Sequence, residues 1–335
     1  MKKIFNLICI VLLFIFTSCS INQFATRLVA NALTGNGGGS VFTSDDDPEF
    51  ISYALPFALK TFESLLESDP ENVGLIEATA GGYISYANGF LQSPAELMDY
   101  DQNPEKEKLL LRAAAMYRRG GSYASRGLEI LYPGFESSFS KGDWNSAFKG
   151  LESDALPFLY WKAASILGEF SIDSFNPELM VAVPSSVALA VKALELNENY
   201  QNGALHDLFI SIFANLPTSL IYKSTDLTNN FSVKKVLSGY YSVHGLLFET
   251  MSIEDQAVYH FNMSVSISKG LNAGSYVSLS SLFINNQDLS GFEKALNDAL
   301  AIDLDLFPEN RLQNIISQRK ASWLLNHKED YFFIP

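Results

Sequence analysis

The stretch 45–90 constrains the fold of this chain more than any other, because it has the pattern of two helices joined by a tight turn. Asp47 is a favourable N-cap residue, Pro48 suits the first helical position, and apolar residues then recur in steps of three and four. The turn Ser-Asp-Pro-Glu-Asn at 68–72 ends the first helix. In the second helix, small residues such as Gly82 stand where a neighbouring helix must come close. A single hairpin cannot bury its apolar stripe, so further hairpins must stack on it.

Helical periodicity continues through the rest of the chain, with helices expected at 105–131 and at 144–170, the latter kinked or broken near Pro157. Residues 91–104 are expected to form a loop, and residues 181–183 are compatible with a short extended segment. Later helical patterns cover 177–196, 203–216, 233–251, 253–271, 276–284, 289–302 and 308–325, with a loop at 217–231. The sequence therefore predicts an all-α fold over 45–335, an α-solenoid of tetratricopeptide-like helical hairpins with enlarged loops.

Residues 1–18 are predicted to be a signal peptide rather than part of the fold. Two lysines precede an apolar run at 4–16, which is shorter than the roughly 20 residues that a membrane-spanning helix needs. The sequence FTSC that ends at Cys19 resembles the lipobox of bacterial lipoproteins, and a cysteine beside an ordinary cleavage site is the alternative. We expect acylation of Cys19, and a lipidated N-terminus with a short helix and a Gly-rich joint at 19–44.

Composition limits the partners of this chain. The formal net charge is −14, and it becomes −16 once the leader and its two lysines are removed. Such an acidic chain is a poor match for nucleic acid or for anionic lipid, so membrane attachment is expected through the acyl chains alone. Cys9 leaves with the leader and Cys19 becomes the N-terminus, which leaves no internal disulfide. We therefore expect a protein of the periplasm, anchored to a membrane by its N-terminal lipid, with no nucleic-acid partner.

Catalytic and metal-binding motifs are absent from the sequence. The four histidines, at 206, 244, 260 and 327, include no pair at a helical ligand spacing, so no metal site is predicted. The chain has no Gly-x-Ser-x-Gly elbow, and the Gly-rich run at 35–40 lacks the preceding strand and the lysine of a phosphate-binding loop. No enzymatic activity and no cofactor are predicted.

The aromatic content leaves two interpretations open. Phe, Tyr and Trp make up 13% of the chain, and they either fill helix interfaces or line an apolar ligand cavity. Three aromatic residues follow one another in steps of three and four along one side of the second helix, and an adjacent pair on a later helix could face them. An arginine and a histidine could orient a polar head of the ligand, such as a carboxylate, although Arg119 could equally tie its helix to a neighbouring carboxylate. The candidate ligand-binding residues are Tyr83, Tyr86, Phe90, Arg119, Tyr160, Trp161 and His206.

Six stretches, in this order, carry a family resemblance. They are DDDPE at 45–49, LPFALKTFESLL at 55–66, YRRGGSYASRGLE at 117–129, GALHDLF at 203–209, KGLNAGSYVSLS at 269–280 and RLQNIISQRKASWLL at 311–325. Together with the lipoprotein-like leader, they resemble the tetratricopeptide lipoprotein, or T component, that is associated with certain TRAP-type transporters.

This resemblance implies a periplasmic, lipid-anchored α-solenoid without catalysis. It also implies binding to the periplasmic solute-binding protein of the transporter, a homotrimer, and a passage or holding cavity for an apolar ligand. TRAP transport is driven by ion gradients, so no nucleotide site is expected. The competing interpretation is a general periplasmic scaffold that binds peptides or envelope proteins in its concave face.

Overall fold

The computed structural model describes residues 38–222 and 231–333, and every regular element in these two ranges is a helix. The predicted all-α, helical repeat fold is therefore confirmed. The predicted signal peptide and Cys19 lie outside the described residues. The long helices are α1 Pro48–Ser68, α2 Val73–Tyr86, α3 Asn103–Leu131, α4 Leu156–Ile172, α5 Pro177–Leu196, α6 Ala204–Asn215, α7 Val233–Val243, α8 Ile253–Ser268, α9 Ala273–Asn285, α10 Leu289–Leu300 and α11 Arg311–Asn326. Shorter helical segments are Gly38–Thr43, Ala87–Gln92, Ser93–Glu96, Tyr100–Gln102, Phe135–Phe139, Trp144–Ala147, Tyr200–Gly203, Thr218–Ile221, Phe248–Thr250, Pro308–Asn310 and Lys328–Asp330.

The first hairpin forms as its local signals predict. The Asp47 carboxylate accepts a hydrogen bond of 2.9 Å from the Phe50 N–H at the start of α1. Asn72 caps α2 in the same way, by accepting a 3.0 Å bond from the Leu75 N–H. A Cβ added at Gly82 would lie 2.6 Å from Leu59 Cδ2 of α1, so the absence of a side chain allows the two helices to pack closely.

The long helices pack mainly on their neighbours in chain order, which is the arrangement of a helical repeat. Helix α3 lies between α2 and α4, and α4 also packs on α5; α6 packs on α8 and α9, and α9 packs on α10. The contact between α3 and α4 is close, because a Cβ at Gly127 would stand 2.2 Å from Phe158 Cε1. The buried side chains form a large core over most of the chain and two smaller ones. One of these lies among α9, α10 and α11, and the other lies between the end of α2, the turn at 87–92 and α3.

The last helix returns to the first hairpin. Helix α11 packs against the Gly38–Thr43 helix and α1. Arg319 of α11 forms an ion pair of 2.5 Å with Glu49 of α1. Next to it, a Cβ at Gly89 would lie 3.4 Å from Ile316 Cδ1. The two ends of the described chain are thus joined by both apolar and charged contacts.

Helix α5 is apolar because it is a core helix. Among the described residues it is the one helix long and apolar enough to cross a membrane, with a mean hydropathy of 1.7 in its most apolar window, of which 56% is buried. Its side chains at 187–191 are fully buried against the surrounding helices. Its packing therefore accounts for its composition.

The helix expected at 144–170, with a kink or break near Pro157, is broken, and the break lies just before Pro157. A short helix at Trp144–Ala147 is followed by a turn in which Gly150 has a φ of +72°, and α4 starts only at Leu156. Pro157 lies in the first turn of α4, where its missing N–H costs no hydrogen bond, so it begins the helix rather than kinking it.

Other boundaries also differ from the sequence pattern. Residues 181–183 are helical within α5, because burial in the core outweighs their β-propensity. The expected loop at 91–104 contains the end of a π-helical turn and the Ser93–Glu96 helix. The helix expected at 233–251 ends at Val243, since Gly245 adopts a left-handed conformation with a φ of +75°.

Candidate functional site

Arg119 lies in an ion pair between α3 and α1. Its Nε donates to Glu63 Oε1 at 2.6 Å, and one of its terminal nitrogens donates to Oε2 at 2.7 Å. The guanidinium also covers the ring of Tyr83 at 4.9 Å from the centroid. Burial would raise the pKa of Glu63, but hydrogen bonds from Lys60 and Arg119 and the charge of Arg119 hold it below its usual value. A ligand carboxylate at Arg119 would have to displace Glu63.

The three aromatic residues expected along one side of α2 separate into two groups. Tyr83 is buried and its ring stacks on Tyr123 of α3, with the centroids 6.2 Å apart. Tyr86 and Phe90 remain neighbours at 6.0 Å, and Phe90 lies in the π-helical turn Ala87–Gln92 that follows α2. Tyr83 therefore belongs to the packing of α2 on α3, whereas Tyr86 and Phe90 are only partly buried.

The adjacent aromatic pair of α4 lies against α2, as the sequence suggested. A Cβ at Gly81 of α2 would be 2.8 Å from two atoms of the Trp161 indole. The ring of Tyr160 meets Trp161 at 4.8 Å and Tyr200 at 5.4 Å, both edge-on. Tyr200 follows α5 in a turn whose polar sequence gave no indication of this role.

His206 is fully buried and pairs with a second histidine. Its Nδ1 lies 2.8 Å from Nδ1 of His260, so one of these nitrogens carries the shared hydrogen. His260 Nε2 is in turn 3.0 Å from the hydroxyl of Tyr241. Burial lowers the pKa of His206 to about 4 and that of His260 well below its usual value. Both rings are therefore neutral near pH 7. Sequence spacing could not reveal this pair, because the two residues are 54 positions apart.

A polar cleft lies next to this pair. Among the residues that the structure describes, Nε2 of His206 has no hydrogen-bond partner; it stands 3.8 Å from Glu198 Oε2, which is too long for a direct bond. The same oxygen accepts a 2.6 Å bond from Tyr240 and lies 3.5 Å from Nε2 of His244. The cleft has a volume of about 720 Å³ and runs between the end of α5 and α7. Within the described ranges, no group of three or more histidines and carboxylates is arranged to hold a metal ion.

Stacked helical hairpins, with partly buried aromatic residues between them and a polar cleft at one side, define an all-α helical repeat protein. The family described as TRAP transporter T-component matches residues 44–220 and 253–332. The chain belongs to this family, as the sequence motifs indicated. It is also similar to an uncharacterized protein of Treponema pallidum (strain Nichols), with 30% identity over 295 residues, which cover 87% of this chain and 82% of that protein.

Proposed function

We propose that the protein is a non-catalytic T component of a TRAP-type transport system, anchored by lipid at Cys19 in the periplasm. It binds the periplasmic solute-binding protein and holds or passes an apolar ligand. Family membership over most of the chain carries this proposal. The leader with its FTSC sequence supports the location and the anchor.

The ligand-holding role is supported by aromatic residues that the core does not enclose. Tyr86, Phe90, Tyr160 and Trp161 are partly buried and lie on or beside α2 and α4. Aromatic walls of this kind bury an apolar molecule, while a few polar groups fix its orientation. A carboxylate-bearing ligand would bind through Arg119 in exchange for Glu63, or beside His206.

The partner role is supported by an exposed aromatic stripe on α1. Phe50, Tyr53 and Phe57 are 63%, 83% and 79% exposed, and their spacing of three and four places them on one face of the helix. Contiguous exposed aromatic surface of this kind is typical of protein interfaces. We assign this stripe to the solute-binding protein, and we expect the complex to form around a homotrimer.

The complex tests the proposal. The chain should co-elute with the solute-binding protein encoded beside it, and multi-angle light scattering should give a mass for the free chain of three protomers. The double variant Tyr53→Ala with Phe57→Ala should weaken the complex at least about tenfold. Phe175→Ala is the matched control, because Phe175 is 90% exposed and lies in the connection between α4 and α5 rather than on α1. Two separate species at micromolar concentrations would favour the general scaffold instead.

The anchor has its own test. Cys19→Ala should abolish incorporation of radiolabelled fatty acid and move the protein from the membrane fraction to the soluble envelope fraction. Continued labelling of the variant would refute acylation at Cys19.

A further inference from the structure

Charged groups inside this fold have partners, and Glu77 of α2 is an exception. Asp207 accepts three hydrogen bonds of 2.6 Å from Ser264, Ser275 and Asn272. The buried Lys162 donates to Glu136 at 2.7 Å. Glu77, by contrast, is partly buried and has neither a hydrogen-bond partner nor an ion-pair partner among the described residues.

The partial burial of Glu77 affects its protonation. Burial raises the pKa of its carboxyl group, and no cation or donor acts against that effect. A half-buried carboxylate that no described residue neutralises can accept a cationic group from outside the fold.

Aromatic rings lie on the face of α2 that carries Glu77. Gly81 lies one helical turn after Glu77, so the two share a face of α2, and the indole of Trp161 rests on Gly81. Tyr160 contacts Trp161, and Tyr200 contacts Tyr160. The carboxylate of Glu77 is near enough to Tyr200 to raise the pKa of its hydroxyl, after the larger effect of burial. The Glu77 subsite consists of Glu77, Tyr160, Trp161 and Tyr200.

We infer that the Glu77 subsite binds an organic ammonium group. The carboxylate supplies the counter-charge, and the ring faces of Trp161 and the tyrosines attract an alkylammonium cation through cation–π interactions. This inference deepens the proposed ligand-holding role and rests on it. It places a cationic group of the ligand at α2 and α4, apart from the carboxylate that Arg119 or His206 would bind.

Other head groups fit this subsite poorly. A carboxylate would be repelled by Glu77, which lies in surroundings that strengthen the repulsion. A divalent metal ion requires several oxygen or nitrogen ligands, and the subsite offers one carboxylate among rings. A neutral hydroxyl would leave the charge of Glu77 uncompensated.

Three ligands with the same tail test the inference: hexyltrimethylammonium, hexanol and hexanoate. The full chain is purified in a maltoside detergent with 150 mM salt, and binding is followed by saturation-transfer NMR. Hexyltrimethylammonium should bind about tenfold more tightly than the other two, a difference of about 1.4 kcal/mol. Glu77→Gln should remove most of this preference, and Trp161→Leu should weaken binding of all three ligands.

Glu67→Gln is the matched control, because it removes the same charge from an exposed position of α1 and should leave the preference intact. Glu77→Gln should fold with an unchanged or higher thermal midpoint, since it removes an unpaired charge, and the ammonium ligand should raise the midpoint of the parent only. Equal binding of hexyltrimethylammonium by the parent and Glu77→Gln would overturn the inference and leave the ligand-holding role standing. If none of the three ligands binds the parent, both fail, while the complex with the solute-binding protein is unaffected.

Discussion

Lys320 and Glu96 are 224 positions apart in the sequence, and their side chains form an ion pair of 2.6 Å. Lys320 belongs to α11, the last long helix, and Glu96 ends the short helix that follows the first hairpin. Together with the pair between Arg319 and Glu49, this contact fixes the last helix on the first part of the fold.

Reversing the charge of Lys320 or of Glu96 alone should lower stability, and reversing both charges together should restore part of it. Lys320→Glu places two carboxylates together and should lower the free energy of unfolding by up to about 1 kcal/mol, because both side chains are about one-third exposed. Glu96→Lys should cost more, since it also removes the acceptor of a 2.7 Å bond from Gln92. The double variant should recover a coupling energy of about 0.2–1 kcal/mol in urea unfolding. Additive single effects would show that the pair contributes nothing.

Gly127→Ala should destabilise the protein by about 1–3 kcal/mol, because the added methyl group has no space beside Phe158 of α4. Gly239→Ala is the matched control within a helix. Gly239 is exposed on α7 with no neighbouring atom within 4 Å of the added Cβ, so alanine should stabilise by up to about 1 kcal/mol. Urea unfolding of both variants should give effects of opposite sign, and a neutral Gly127→Ala would contradict the close approach of α3 and α4.

Acidification should weaken the fold through the buried histidine pair. A histidine in the unfolded chain has a pKa of about 6.5, whereas burial holds the pKa of His206 at about 4 and lowers that of His260 further. Between these values the unfolded chain binds more protons, so stability falls as the pH drops below about 6.5, by up to about 1.4 kcal/mol per pH unit for each histidine.

Replacing both histidines isolates this contribution. The double variant His206→Phe with His260→Phe should fold, because the rings already lie among Phe209 and Phe213, at 4.7 Å and 5.6 Å from His260. Its stability should change less than that of the parent between pH 7 and pH 5. Chemical unfolding at several pH values measures both slopes, and equal slopes would show that the pair does not titrate on unfolding.

Arg119→Met should lower stability at pH 7 by about 1–2 kcal/mol, at the low end for charge-assisted bonds because Arg119 is 41% exposed. The lowered pKa of Glu63 means that its favourable contribution is present above the unfolded value of about 4.3 and is lost as the pH falls through the folded value. The difference between parent and variant should therefore shrink below pH 4. Arg112→Met, at an exposed position of the same helix, should have little effect at any pH.

Local signals made the first hairpin predictable. Asp47 and Asn72 act within three residues of their own position, and Gly82 marks a close contact whichever helix fills it. The break expected near Pro157 is longer than the sequence indicated, because Phe148 and Leu151 are buried from within a turn, and buried residues of a turn have the same composition as those of a helix. The spacing of apolar residues predicts which side chains are buried, but it does not show whether the backbone that carries them is a helix or a turn.

The candidate site was harder to predict from the sequence than the fold was. The sequence placed Tyr160 and Trp161 on a later helix that a solenoid could bring opposite α2, whereas the pairing of His206 with His260 depends on how α6 meets α8. Whether a described residue neutralises Glu77 depends on the helices that pack around it. No pattern in the chain records the absence of a partner, so only the folded arrangement reveals it.

The return of α11 to the first hairpin also limits how a chain of this kind can evolve. An open solenoid can gain or lose a hairpin at either end, because each unit contacts only the next. Here an inserted hairpin would carry Arg319 and Lys320 away from their acidic partners and uncover the apolar contact of Ile316. The number of hairpins is therefore fixed by closure, and changes in length are expected in the connecting loops.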